Sequence, residues 1–261
     1  MSAASQLVAK IRRMTREVAA RGRATNPVRA LVEGNNADLI AEVVRQYALL
    51  GVRIADVTYG KGVFWRKVDL TDYSFLPSDV LPNGAADRPV LQADFRRLPY
   101  ADASFDVVVL DPPYSHHSKN TAKFEANYQN AKSGEDGAAP SHAGITRDLY
   151  APGMEEAYRV LREGGTLWVK GKDEIESGIQ RWSGFEIRLL ALRFGFHLRD
   201  SFILYPSAPP PKATKHARKN YSFLHILEKD PAKHRADCRN YGDLLQGAAE
   251  RCFLSGPTEG S

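Results

Sequence analysis

Phe105-Asp106-Val107-Val108-Val109-Leu110-Asp111-Pro112-Pro113-Tyr114 is the stretch on which the reading of this chain turns. A short run of β-branched and aliphatic residues, apolar almost throughout, reads as a strand buried on both faces, as in a parallel sheet. The tetrapeptide Asp111 to Tyr114 then falls at the strand's carboxyl end, where open α/β sheets bind ligands. Its two prolines fix φ and remove two backbone donors, which leaves their carbonyls as acceptors. An acidic acceptor precedes them and an aromatic face follows. Such a set suits a flat group bearing an NH2, of which the exocyclic amine of a nucleobase is an example. A rigid turn after a strand is the plainer alternative.

Fifty or so residues earlier, Asp56-Val57-Thr58-Tyr59-Gly60-Lys61-Gly62 follows another apolar run, Val52 to Val57. Glycines that bracket one residue at a strand end let the backbone approach a ligand closely. No Gly-Lys-Ser/Thr ends the turn, so it is not a phosphate-binding P-loop. Further acidic residues, Asp79 and Asp94, fall at the ends of a second strand (72–79) and a third (89–92), with Phe95 beside Asp94.

Together these motifs resemble the S-adenosylmethionine-dependent amino-methyltransferases, which methylate adenine N6 or cytosine N4 in DNA. The resemblance spans about Asn26 to Lys229. It implies a class I, Rossmann-like methyltransferase fold: an α/β domain on a seven-stranded, mostly parallel sheet with one antiparallel strand, in the order 3-2-1-4-5-7-6. It implies S-adenosyl-L-methionine as cofactor, held by Asp56, Thr58, Tyr59, Gly60, Gly62, Asp79, Asp94 and Phe95. Asp79 would meet the ribose hydroxyls, Asp94 the adenine amine, and Phe95 the adenine ring. Asp111, Pro112, Pro113 and Tyr114 would be catalytic, with Tyr114 stacked on the target base. Aspartate at the first position is commoner among adenine enzymes. The glycine motif comes first and too few residues separate it from Asp111 for a recognition domain, so the arrangement is γ-like. This chain departs from the family's usual Asp-Pro-Phe-x-Gly-x-Gly in having Val57-Thr58-Tyr59 and a charged Lys61, which is expected to point out of the site. The Glu156 to Gly165 stretch is similar to one found across class I methyltransferases of every substrate.

The favoured reading is methyl transfer to a base flipped out of duplex DNA, with adenine N6 as the target. An RNA base methyltransferase and a cytosine-N4 DNA enzyme use the same site. A small-molecule methylase and a non-catalytic binding protein on the same fold are further rivals. Cytosine-C5 chemistry is disfavoured, because no cysteine stands near the prolines.

The composition, 43% hydrophobic and 26% charged, is that of a globular domain. Net charge is +5, unevenly spread. Lys10, Arg12, Arg13, Arg16, Arg21, Arg23 and Arg29 crowd the first segment, and Lys212, Lys215, His216, Arg218 and Lys219 form a second cluster. Two basic clusters flanking a base-binding motif suit phosphates. Arg12, Arg13, Arg16, His116, Lys119, Lys123, Lys215, Arg218 and Lys219 are the expected nucleic-acid contacts. His116-His117 lacks a third ligand at metal spacing, so no metal is expected. No apolar stretch approaches the roughly 20 residues that span a bilayer. No signal core follows the basic start, and Cys238 and Cys252 read as reduced thiols, so a cytoplasmic location is expected.

The expected organisation is a basic helical segment (1–25), a methyltransferase domain (26–229) and a tail (230–261). Within the domain, 115–142 is expected to be a mobile substrate loop. Helices are predicted over 37–50, 150–162, ended by Gly164-Gly165, and 184–194. Strands are predicted over 166–170, 196–205 and 221–228, and the tail has one helix at about 243–253. Residues 26–34 are a further candidate wall for the cofactor.

Overall fold

In the Phe105–Leu110 strand successive side chains enter opposite cores. Phe105, Val108 and Leu110 belong to one buried cluster, and Val107 and Val109 to the other. This two-sided burial makes the strand the spine of the sheet. The protein is described by a computed structural model covering residues 29–82, 88–113, 146–176, 178–206 and 219–254.

Along the chain come β1 (Leu31–Glu33), α1 (Asn36–Tyr47), β2 (Arg53–Asp56), β3 (Ser74–Asp79), β4 (Leu91–Gln92) and β5 (Phe105–Leu110). They are followed by α2 (Ala151–Val160), β6 (Leu161–Gly171), the hairpin β7 (Glu174–Glu176) and β8 (Ile179–Arg181), and α3 (Ser183–Arg193). Last are β9 (His197–Tyr205), β10 (Ser222–Glu228) and α4 (Pro231–Leu254). The main sheet runs β1-β9-β10-β6-β5-β2-β3-β4. β10 is antiparallel to β6 and β9, and the other pairings are parallel. Read from β4, seven of the eight strands follow the order 3-2-1-4-5-7-6. This is the class I, Rossmann-like methyltransferase sheet with one strand, β1, added at its edge.

α1 starts where the sequence places it. The Asn35 side chain accepts from Ala37 N and Asp38 N, and the Asp38 carboxylate accepts from Asn35 N, so three backbone donors at the helix start are satisfied. Its stripe of Leu39, Ile40, Val43 and Val44 packs on the face that holds Val107, Val109 and Trp168. The opposite face is covered by Met154, Ala157 and Val160 of α2 and by Ile187 and Ala191 of α3.

The structure corrects several expected boundaries. β1 was not read, being three residues long with one buried side chain. Residues 31–33, expected to wall the cofactor, thus pair with β9 at the sheet's edge. The hairpin β7–β8 was likewise missed. α2 ends at Val160, and Gly164-Gly165 lie inside β6 rather than stopping a helix. Gly164 adopts φ +76°, and a Cβ on Gly165 would stand 3.1 Å from the Asp106 carbonyl, so these glycines let β6 bend closely past β5. α4 begins at Pro231, where Asp230 Oδ1 accepts from Ala232 N and Lys233 N, twelve residues before the expected start. The expected helix in 1–25 and the loop 115–142 lie outside the described residues.

Candidate active site

Four strand ends, of β2, β3, β5 and β6, converge at the carboxyl edge of the sheet. After β2 the chain rises through Val57, whose N–H is held by the Val109 carbonyl at 3.1 Å, into the glycine turn. Gly60 and Gly62 have φ of +56° and +65°, a region that side chains with a Cβ rarely adopt. A Cβ on Gly60 would meet nothing nearer than 4.0 Å, so the backbone there faces open space. A Cβ on Gly62 would strike the Tyr59 hydroxyl at 2.5 Å, so Tyr59 lies folded over this glycine, buried beside Phe75. Lys61 between the two glycines is exposed.

Two carboxylates hold the turn. Asp79, at the end of β3, accepts from Gly60 N at 2.8 Å and from Leu81 N at 3.0 Å. Asp56, at the end of β2, is 2% exposed and accepts from Trp65 Nε1 at 2.6 Å and Thr58 N at 3.0 Å. Burial nonetheless pushes its carboxyl up to about 7, against the pull of those two bonds, with the charges of Asp111 and Asp79 adding to the rise.

Thr58 links the turn to the catalytic candidate, its hydroxyl accepting from Asp111 N at 2.8 Å. Asp111 follows β5, and its Oδ1 is a buried acceptor with no hydrogen-bond partner among the described residues. Burial raises the Asp111 carboxyl, opposed by the charge of Lys170, whose Nζ lies 3.9 Å from Oδ1. Lys170 is 2% exposed at the end of β6, with its Nζ 5.8 Å from the centre of the Phe64 ring. Sequence reading placed Lys170 only as a strand terminus. A lone lysine closing an apolar strand was the available signal, and only strand order shows that it faces Asp111. Pro112 is buried and Pro113 half-buried.

The structure therefore brings together Asp56, Thr58, Tyr59, Gly60, Gly62, Asp79, Asp111 and Pro112. Two further residues of the expected cofactor set, Asp94 and Phe95, have partners within the protein. The Asp94 carboxylate is engaged by its neighbour Arg96, through Nη2 at 2.6 Å and Nε at 3.0 Å. Burial works to raise this carboxyl, but the Arg96 side-chain and backbone bonds outweigh it and hold it below its ordinary value. The Phe95 ring is buried against Gly153 of α2 in the core. Of the expected nucleic-acid contacts only Lys219 lies within the described residues, with its Nζ 5.1 Å from the centre of the Trp182 ring. Tyr114, Arg12, Arg13, Arg16, His116, Lys119, Lys123, Lys215 and Arg218 lie outside them. Among the described residues no cluster of side chains is arranged to hold a metal, and no helix is long and apolar enough to cross a membrane.

No family model and no curated protein matches the chain. Solved structures do. A SAM-dependent methyltransferase from Methanosarcina mazei is 13% identical, with a TM-score of 0.44 over 72% of this chain and 97% of that one. TrmN from Thermus thermophilus is 18% identical, with a TM-score of 0.46 over 74% of this chain and 48% of that one. A proposed DNA modification methylase from the same organism is 18% identical, with a TM-score of 0.35 over 51% and 47%. The chain thus spans about half the length of the last two. These likenesses concern general architecture and carry nothing about substrate.

Proposed function

We propose that this protein is an S-adenosylmethionine-dependent methyltransferase acting on the exocyclic amine of a nucleobase, with adenine N6 in DNA as the favoured target. One observation carries the reading. The Asp111 carboxylate keeps a buried oxygen that accepts no hydrogen bond among the described residues, at the carboxyl end of the central strand and tied through Thr58 to an open glycine turn. A buried acceptor without a donor costs free energy, and a ligand N–H relieves it.

The glycine turn fits the cofactor. The missing Cβ of Gly60 leaves room for close approach, and Asp79 and Asp56 place carboxylates behind a group that carries positive charge. When bound, S-adenosylmethionine supplies an electrophilic methyl group on a sulfonium. The work left to the protein is alignment and exclusion of water. An aromatic amine is a poor nucleophile because its lone pair is delocalised into the ring. Asp111 Oδ1 and the Pro112 carbonyl accept its two hydrogens and favour a more tetrahedral nitrogen. Asp111, whose burial makes it a stronger base than an exposed carboxylate, takes the proton the amine gives up. Lys170 works against that burial and favours the ionised form of Asp111. Tyr114, by resemblance, stacks on the base. In a duplex the base is first flipped out, at a cost of a few kcal/mol.

The test is incubation with S-adenosylmethionine and either duplex DNA or total RNA, then digestion to nucleosides and mass spectrometry. N6-methyladenine from DNA is the expected product. N4-methylcytosine retains the mechanism and corrects the base. Methylation confined to RNA moves the substrate to RNA. Absence of transfer to either, with the cofactor bound, contradicts the reading.

A further inference from the structure

Next to Asp111 the same edge of the sheet carries an aromatic surface that the reaction proposed above leaves unused. β6 ends with Lys170 and Gly171, and the chain continues through Lys172 and Asp173 into the β7–β8 hairpin and then α3. At the start of α3 stand Trp182, 54% exposed, and Phe185, 59% exposed, spaced one turn apart. Ile179 of the hairpin is also exposed. Large apolar side chains grouped within seven residues beside a candidate active site mark a surface that meets something.

The surface is held firmly. Asp173 is buried, and its Oδ1 accepts from Gly184 N at 3.1 Å. The Tyr221 hydroxyl bonds the same carboxylate. A Cβ on Gly184 would stand 2.8 Å from the Phe223 ring, so α3 sits directly on β10. Phe223 pairs with Gly171 in register, which places the chain just before β10, including Lys219, at the carboxyl end of β6. There the Lys219 ammonium lies 5.1 Å from the centre of the Trp182 ring, and more than half of the Trp182 surface stays exposed with Lys219 in place. The sequence leading to Lys219 adds Lys212, Lys215 and Arg218. Aromatic faces beside cations are what a stacked base and its phosphate require. An apolar partner protein would gain nothing from the cations.

We propose that Trp182, Phe185 and Lys219 form a platform for an unpaired nucleotide next to the target base, with the base stacked on the aromatic side chains and the phosphate met by Lys219. The proposal rests on the nucleobase-methylation reading and names a surface by which that site holds its strand.

Of the three tryptophans, Trp65 and Trp168 are buried, so quenching by an added polymer reports Trp182. The full chain is titrated with oligothymidylate and, separately, oligouridylate of about twelve residues, long enough for one stacking groove. Neither carries an exocyclic amine, so neither is a methylation substrate. Quenching by one or both is expected, absent in Trp182→Phe and weakened by salt, and the preferred oligomer distinguishes DNA from RNA. With an adenine-containing oligonucleotide, Trp182→Ala is expected to raise KM about tenfold or more, with kcat within about twofold, and Trp182→Phe to recover most of the loss. Methylation that proceeds with no quenching and no change in KM overturns the platform and leaves the proposed function standing. Quenching without methyl transfer to any nucleic acid supports the platform and contradicts the proposed function instead. A wild-type dimer that becomes monomeric in Trp182→Ala, with KM unchanged, overturns the platform in favour of a second copy of the chain.

Discussion

The Lys170 ammonium stands 3.9 Å from the Asp111 carboxylate, and the two residues end neighbouring parallel strands. At that separation the pair acts through charge rather than through a hydrogen bond. Burial alone would keep Asp111 protonated over a wider pH range, and Lys170 works against it.

Replacing Lys170 by Met therefore has a signed consequence. Asp111 accepts an amine hydrogen only when ionised, so the rate rises with pH through its pKa. Loss of the cation moves that pKa further up, and the acidic limb of the kcat/KM profile shifts to higher pH. Profiles of the two proteins from about pH 5 to 9 read this directly. A limb in the same place would show that Lys170 does not act on Asp111.

Thr58→Val keeps the shape of the side chain and removes the acceptor for Asp111 N. A part-buried N–H left without a partner costs about 1–3 kcal/mol. Lower stability in urea is expected together with a reduced kcat, because the same bond sets the direction of Asp111. A stability loss with unchanged kcat would separate the bond from the chemistry.

Gly153→Ala sets helix propensity against packing. Alanine favours the helix by about 1 kcal/mol, but the new Cβ would lie 2.9 Å from the Phe95 ring and 3.3 Å from Leu110. Overpacking of a closed core costs about 1–3 kcal/mol. The core term wins, and a lower Tm is expected. Displacement of Leu110 also disturbs the residue that follows it, so activity falls at temperatures where the variant remains folded.

Asp56 gives stability a pH dependence of defined sign. Its carboxyl is raised from its ordinary value of 3.8 to about 7 in the folded protein. Between those values the folded state holds the proton that the unfolded state has lost, so this residue's contribution falls as pH rises, by at most about 1.4 kcal/mol per pH unit. The loss is complete above about pH 7. Urea denaturation at several pH values should show a shallower decline in Asp56→Asn than in the wild type. Equal slopes would show that Asp56 remains ionised throughout.

What the sequence revealed follows the strength of local signals. The β5 run and the tetrapeptide after it are legible because two-sided burial leaves a nearly continuous apolar stretch and two prolines mark its end. The glycine turn is legible because glycine adopts the left-handed backbone at Gly60 and Gly62 without the strain a Cβ brings. β1 and the β7–β8 hairpin are short, and pairing partners far along the chain or close to a turn decide them. Gly164 and Gly165 have the composition of a helix stop, yet here they serve a strand that passes close to β5. Nor does the sequence show that the Phe95 ring is buried in the core or that Arg96 bonds the Asp94 carboxylate. Lys170 leaves in the sequence only the signal of a lysine closing an apolar strand, because its meaning lies in the strand beside it.

The central claim is that Asp111 is the residue that meets the amine. Its most direct test compares wild type and Asp111→Ala for N6-methyladenine formed in DNA, with S-adenosylmethionine affinity measured by calorimetry on the same preparations. The account predicts a fall in rate of at least about a hundredfold, with cofactor affinity nearly unchanged because the glycine turn, Asp79 and Asp56 remain. A variant that binds the cofactor and methylates at the wild-type rate would contradict it.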